Sequence, residues 1–182
     1  MTPRRYRTVV MPCGLPLRVL GTAEVERFVH DFEAVWSSIP TRTSDRLLAH
    51  WSRLGRGRPD LRLHEVPYRT PYDRQAGGIA VACCHPPGGR LDFWSPFFAR
   101  LSARAAQGVI AHEIGHAAQY ALRRRVTLDL SDSEEESERA ADSFAIDLGH
   151  DPHIARAWLR SHTRRKVKGV PQFDEDEEMT NE

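Results

Sequence analysis

The chain has 182 residues, of which 40% are hydrophobic, and a formal net charge of +1. That balance suits one soluble globular domain with room for a tail, and it argues against bulk-charge binding to nucleic acid or an acidic membrane. Three cysteines, Cys13, Cys83 and Cys84, are odd in number and two are adjacent, so they make no disulfide framework and fit a reducing, cytoplasmic setting. No run nears the roughly 20 apolar residues of a membrane span.

In chain order, Tyr6 to Met11 is β-prone and predicts a first strand, which Pro12 to Pro16 breaks. Thr22 is an N-cap candidate for a helix whose Val25, Phe28, Val29, Phe32, Val35 and Trp36 recur at helical spacing. Ser44 caps a second short helix with Leu47, Leu48, Trp51 and Leu54 on one face, stopped by Gly55, Gly57 and Pro59. Leu61 to Val66 reads as a strand, and Pro67 to Gly77 as a polar loop. Gly78 to Cys84 and Arg90 to Trp94 flank Pro86-Pro87-Gly88-Gly89 and predict an antiparallel hairpin. Ser95-Pro96 starts a short helical turn.

Ser102 caps a long central helix from Ala103 to about Leu122, with Ala106, Ile110, Ile114, Ala117 and Ala121 toward the core. Gly108 and Gly115 each cost that helix about 1 kcal/mol against Ala, a cost that close approach of another backbone would explain. After a connection from Arg123 to Asp132, Ser133 and Glu136 have the spacing of a capping box for a helix ending near Gly149. Asp151-Pro152 opens a last helix. Residues 1–168 are expected to form one domain, and the acidic stretch from Gly169 to Glu182 a disordered tail.

The central helix carries His112-Glu113-Ile114-Gly115-His116. Histidines four apart lie one turn apart on one face, where both imidazoles reach one ion. Glu113 beside the first can take a proton from a metal-bound water. A catalytic zinc needs a third protein ligand. In the following helix Glu134, Glu135 and Glu136 suit the helix dipole, whereas Glu138 shares the face of Ala141, Ala145 and Leu148. A carboxylate on an apolar face needs a cation, and an ion on His112 and His116 supplies one. Asp142, one turn on, can accept a proton from a ligand histidine and fix its tautomer. The plain alternatives are histidines placed by chance on an exposed face and a solvated Glu138. Cys83-Cys84-His85 reads as buried thiols, since neighbouring strand residues point to opposite faces. Arg123-Arg124-Arg125 suits the negative end of the helix dipole better than nucleic acid.

His112-Glu113-x-x-His116 followed by Glu138-x-x-x-Asp142 resembles the gluzincin pattern of zinc metallopeptidases. Glu138-Arg-Ala-Ala141-Asp142-Ser-Phe144-Ala145 is similar to the ligand helix of ImmA/IrrE-type metallopeptidases. Peptide deformylases share H-E-x-x-H but carry an upstream cysteine ligand in a Gly-Cys-Leu setting, and here Cys84 is followed by His85-Pro86. The resemblance covers about Gly78 to Gly149. It implies an α+β, zincin-like fold: a small twisted, mostly antiparallel sheet packed on an active-site helix and a glutamate-ligand helix, with extra helices at both ends. It also implies that Gly78 to Cys84 is an edge strand that pairs with extended substrate.

The expected activity is zinc-dependent peptide-bond hydrolysis, as an endopeptidase ahead of an aminopeptidase. His112, His116 and Glu138 are the expected ligands of Zn2+, Glu113 the general base, and His150, His153 and Tyr120 the candidates for a second oxyanion donor. The substrate is expected to be a protein or peptide, with a regulatory protein among the candidates, and neither membrane nor nucleic acid a partner. The alternative is a catalytically silent, metal-stabilised binding protein with the same fold.

Overall fold

The computed structural model describes residues 6–21, 25–56, 59–64, 82–85, 87–122 and 134–166. These form an α+β fold around an open five-stranded sheet. The strands are β1 (Tyr6–Val10), β2 (Pro16–Leu20), β3 (Asp60–His64), β4 (Ala82–His85) and β5 (Arg90–Trp94), in the order β1-β2-β3-β5-β4. The helices are α1 (Val25–Ser38), α2 (Thr41–Trp51), a short α3 (Ser95–Phe98), α4 (Ala103–Leu122), α5 (Glu134–Asp147) and α6 (His153–Lys166), and a π-helical turn (Ser52–Arg56) follows α2.

The sheet is mixed rather than mostly antiparallel. β1 with β2 and β4 with β5 are antiparallel pairs, but β3 runs parallel to both β2 and β5. The physical reason is connectivity. The chain leaves β2, passes through α1 and α2 and returns in the same direction as β3, as parallel pairing requires of a long crossover. β2 is a strand that the break from Pro12 to Pro16 does not announce. Pro16 sits at its first position, where a missing N–H is tolerated, and Leu17 and Val19 alternate into the core. The β4–β5 hairpin is as expected, with Cys84 opposite Leu91 and His85 opposite Arg90.

One sheet face, built from Leu17, Val19, Leu61, Leu63, Leu91 and Phe93, is fully buried beneath the helices. Phe28, Phe32 and Val35 of α1, Leu47 and Trp51 of α2, and Ala106, Ile110, Ile114 and Ala117 of α4 fill that core. Leu48, expected on the same face as Leu47, is exposed. The second helix also begins earlier than expected: Pro40 occupies its N-cap position, and Ser44 lies inside, its Oγ donating to the Thr41 carbonyl. Ser102 caps α4 as its sequence position suggests, its Oγ accepting the Ala105 N–H at 3.3 Å.

α4 is the pivot, with the sheet and α2 on one side and α5 and α6 on the other. Its two glycines take the close approaches. A Cβ at Gly115 would stand 2.9 Å from the Ala141 carbonyl oxygen of α5, and one at Gly108 would stand 2.5 Å from that of Asp151, just before α6. Seven positions apart, the two glycines lie on nearly one face of α4. The turn between α5 and α6 is set locally. Gly149 has φ +83°, and the N–H groups of Gly149 and His150 return to the carbonyls of Ile146 and Ala145. Asp151 then accepts the His153 N–H at 2.8 Å and starts α6. Thr22, Ser133, the loop 67–77, residues 78–81, the connection 123–132 and the tail 169–182 lie outside the described residues. Among the described residues no helix is long and apolar enough to cross a membrane.

Candidate metal centre

α4 and α5 bring together the residues that spacing singled out. His112 Nε2 lies 3.1 Å from His116 Nε2, 3.3 Å from Glu138 Oε2, and His116 Nε2 lies 3.2 Å from Glu138 Oε1. A tetrahedral ion with zinc-like bonds of about 2.0–2.1 Å separates its ligand atoms by roughly 3.3–3.4 Å, so each of these separations fits a pair of ligands on one ion, with the two histidines facing different oxygens of the Glu138 carboxylate. Among the described residues His112, His116 and Glu138 are the one group of three or more His, Cys, Asp or Glu that could hold a metal.

The donor chemistry points the same way. His112 Nδ1 is 2.8 Å from Asp142 Oδ1. An ionised carboxylate only accepts, so Nδ1 carries the hydrogen. In the neutral ring Nε2 is then a lone pair, and it faces another imidazole nitrogen and a carboxylate. Lone pairs converging at this distance call for a cation between them. Without an ion, a proton on a ring Nε2 donated to Glu138 is what meets the same need, and the shifts of the groups follow from it. Burial lowers the His112 pKa, but hydrogen bonding to Glu138 and the carboxylates around the ring outweigh it and the net shift is upward. The His112 and His116 hydrogen bonds hold Glu138 well below the usual carboxylate range.

His116 has an uncharged partner. Ser137 Oγ donates to Gln119 Oε1 at 3.1 Å, which leaves its lone pair for His116 Nδ1 at 3.4 Å, and Gln119 Nε2 is anchored on the Ser137 carbonyl at 2.8 Å. Glu138 is not the core-facing carboxylate that its apolar neighbours suggested. Ala141 and Ala145 are buried, but the Glu138 side chain is 47% exposed. The reason is its place near the start of α5, beyond the point where that helix meets α4 at Gly115, so its carboxylate closes the pocket from the rim.

Glu113 is buried, 7% exposed, and its carboxylate meets the Cys84 backbone N–H on β4. Burial pushes its pKa up, and Glu138 adds to that against the pull of His112 and His116. A carboxyl group shifted upward is suited to carry a proton both ways. The Cys84 thiol, beside Glu113, is raised well above its ordinary value by burial, as a packed thiol should be. Cys83 lies on the opposite sheet face. Of the oxyanion candidates, His150 Nε2 meets Ser38 Oγ at 3.2 Å, His153 is exposed at the start of α6, and the Tyr120 ring packs where a side chain on Gly88 would fall.

Arg156 of α6 also reaches the site. Its NH1 donates to Asp142 Oδ2 at 2.5 Å and its NH2 to Glu138 Oε2 at 3.4 Å. Neither Arg156 nor Gln119 stands out in the sequence, because each is recognised only by what a distant segment brings to it. Ser137 carried a faint signal as the residue before a ligand. Comparison of the chain with protein-family models, curated proteins and solved structures returned no match.

Proposed function

We propose that the chain is a zinc-dependent peptidase of zincin-like plan, acting on a protein or peptide in the cytoplasm. The reading is carried by one observation: two imidazole nitrogens 3.1 Å apart each face an oxygen of one carboxylate, at 3.3 and 3.2 Å, beside a buried Glu113. Bound there, the ion would supply Lewis acidity toward a scissile carbonyl and bring the pKa of water toward neutrality. The chain's own residues do the rest. His112, His116 and Glu138 would hold the ion and leave a position open. Glu113 takes a proton from the attacking water and returns it to the leaving amine. Asp142 and Ser137 keep the two ring tautomers that turn Nε2 inward.

Substrate would lie extended along β4. Among the described residues that strand is at the sheet edge, next to α4, and a pairing segment would use its outer backbone groups. Recognition through main chain tolerates many side chains, in keeping with an endopeptidase. The similarity of the two motifs to gluzincins, and of the α5 segment to ImmA/IrrE-type enzymes, supports this reading.

The test is metal content together with cleavage of a peptide library. Wild-type protein should hold about one zinc per chain and cleave until chelated. His112→Ala should lose the zinc. Glu113→Gln should keep the zinc and lose cleavage, and full cleavage by that variant would sink the mechanism. Zinc without cleavage of any peptide would favour the silent binding protein.

A further inference from the structure

The two carboxylates that face the histidines, Glu138 and Asp142, stand one turn apart on α5. Like charges at that spacing repel, and Asp142 is mostly covered, with 14% of its side chain exposed. Two negative groups sharing a pocket need a cation even before any metal arrives. Arg156 provides it, from a different helix. Its guanidinium donates one arm to Asp142 Oδ2 and the other toward Glu138 Oε2, while Asp142 Oδ1 takes the His112 Nδ1–H. Arg156, Asp142, His112 and Glu138 therefore close a ring around the pocket.

The fold is arranged to deliver that arginine. The Gly149 turn reverses the chain after α5, Asp151 caps α6, and the backbone at Asp151 and Pro152 lies against Gly108 of α4. α6 is thus tied to the helix of the histidines one turn before His112. From that anchorage Arg156 reaches back to α5.

We infer that Arg156 is a positioning residue of the metal centre, one that makes α6 part of the site by holding Asp142 in place and, through it, His112. This rests on the metal-binding reading of the pocket. Two opposed effects have to be weighed. A guanidinium at Glu138 draws charge from a ligand and weakens its hold on a cation. A guanidinium at Asp142 fixes the carboxylate that keeps the His112 lone pair aimed inward. The contact to Glu138 is long, at 3.4 Å, and the one to Asp142 is short, at 2.5 Å, so the second effect dominates. Removing Arg156 weakens metal binding.

The experiment measures zinc affinity by competition with a chromophoric chelator, using full-length protein. Arg156→Met should bind zinc about 10- to 100-fold more weakly than wild type, the range seen when a partner of a ligand is lost. Arg156→Lys, a point charge that can reach Asp142 without forking to both carboxylates, should recover most of that loss. In an Asp142→Asn background, Arg156→Met should change affinity by less than about 3-fold, because the path it acts through is already cut. Circular dichroism and melting curves identify any variant that fails to fold; the Lys variant and the Asn background then carry the test. Wild-type affinity in folded Arg156→Met overturns the inference, as does an equal loss in both backgrounds. A wild-type protein that takes up no zinc would instead overturn the metal-binding reading, and the positioning role with it.

Discussion

Two clusters in this fold use the same ingredients to opposite ends. On the sheet face away from the core, Asp92 of β5 is fully buried and receives His64 Nε2 at 3.2 Å, His85 Nε2 at 2.8 Å, and Arg90 through Nε at 3.0 Å and NH2 at 2.5 Å. Beside it Asp60 is gripped by Arg62, and both Arg62 and Arg18 lie over the Tyr6 ring. In the pocket between α4 and α5 there are again two histidines, acids and an arginine. The difference is where the donors point. On the sheet the N–H groups of His64, His85 and Arg90 converge on Asp92 and those of Arg62 on Asp60, so each acid has its donors as it stands. In the pocket two ring lone pairs and a carboxylate converge on a point that no side chain occupies. Residue types alone do not distinguish a structural ion-pair network from a metal site, whereas the direction of the lone pairs does.

The substitution that separates the two clusters most widely is Glu113→Gln. The side chain is nearly isosteric, so His112, His116 and Glu138 should keep their places and zinc uptake should be unchanged. Loss of the proton carrier should lower peptide cleavage by about 10²- to 10⁴-fold. Stability should barely move, since the carbonyl of the amide can still accept the Cys84 N–H. A parallel loss of metal would mean that Glu113 is a ligand rather than a base.

Asp92→Asn should do the reverse, leaving zinc content unchanged while lowering stability by on the order of 3 kcal/mol. Four N–H groups from three side chains would then face an amide with one acceptor oxygen, and breaking a buried ion pair from one side is costly. The pH dependence follows from its sign. Burial raises the Asp92 pKa, but hydrogen bonds from His64, His85 and Arg90 outweigh it and hold the carboxyl far below its ordinary value. A depressed pKa contributes stability that is complete above the unfolded value near ~4 and is lost as pH falls toward the folded value. Melting temperature measured from pH 7 down to pH 2.5 should fall on the acid side in wild type and fall less steeply in Asp92→Asn. Identical slopes would remove Asp92 from the account.

The pocket was legible in the sequence because its main parts are local. His112, Glu113 and His116 sit within one turn and a residue of each other, and Glu138 and Asp142 within one turn. Caps at Ser102 and Asp151 and the stop at Gly149 are likewise single-residue signals. The sheet was less legible, because strand order depends on partners far apart in the chain. β3 pairs with β2 and β5 across long connections, and no spacing within Asp60–His64 announces parallel neighbours. β2 was hidden by Pro16, although Leu17 and Val19 alternate as a strand should. Arg156 lay beyond reach for the same reason: its meaning depends on a turn at Gly149 and a docking at Gly108.

Gly115→Ala tests how tightly the pocket depends on helix contact. Alanine would favour α4 by about 1 kcal/mol. Its Cβ, however, would stand 2.9 Å from the Ala141 oxygen and 3.0 Å from its Cα. Both are backbone atoms and cannot swing aside, and overpacking of this kind costs about 1–3 kcal/mol. The clash wins, α5 moves away from α4, and Glu138 draws back from the two histidines. Melting temperature and zinc affinity should fall together. A variant that is more stable than wild type would show that the two helices are not in this contact.

The smallest effect should come from Ser137→Ala, and it bears on the contrast within the pocket itself. His112 leans on a charged partner, Asp142, at 2.8 Å, and His116 on a neutral hydroxyl at 3.4 Å. A charge-assisted bond is roughly twice as strong as a neutral one, and length weakens the second further. Gln119 also offers a substitute. Its Nε2, a donor, lies 3.4 Å from His116 Nδ1, and without Ser137 Oγ the amide can turn to offer Oε1 as acceptor at the cost of its bond to the residue 137 carbonyl. Ser137→Ala should therefore weaken zinc binding only about 3- to 10-fold, around or below the lower end of the usual range for such partners. Adding Gln119→Leu removes the substitute and should deepen the loss well beyond the sum of the single changes. If Ser137→Ala alone matched the loss from Asp142→Asn, the two histidines would be held alike, and partner charge would not be what grades them.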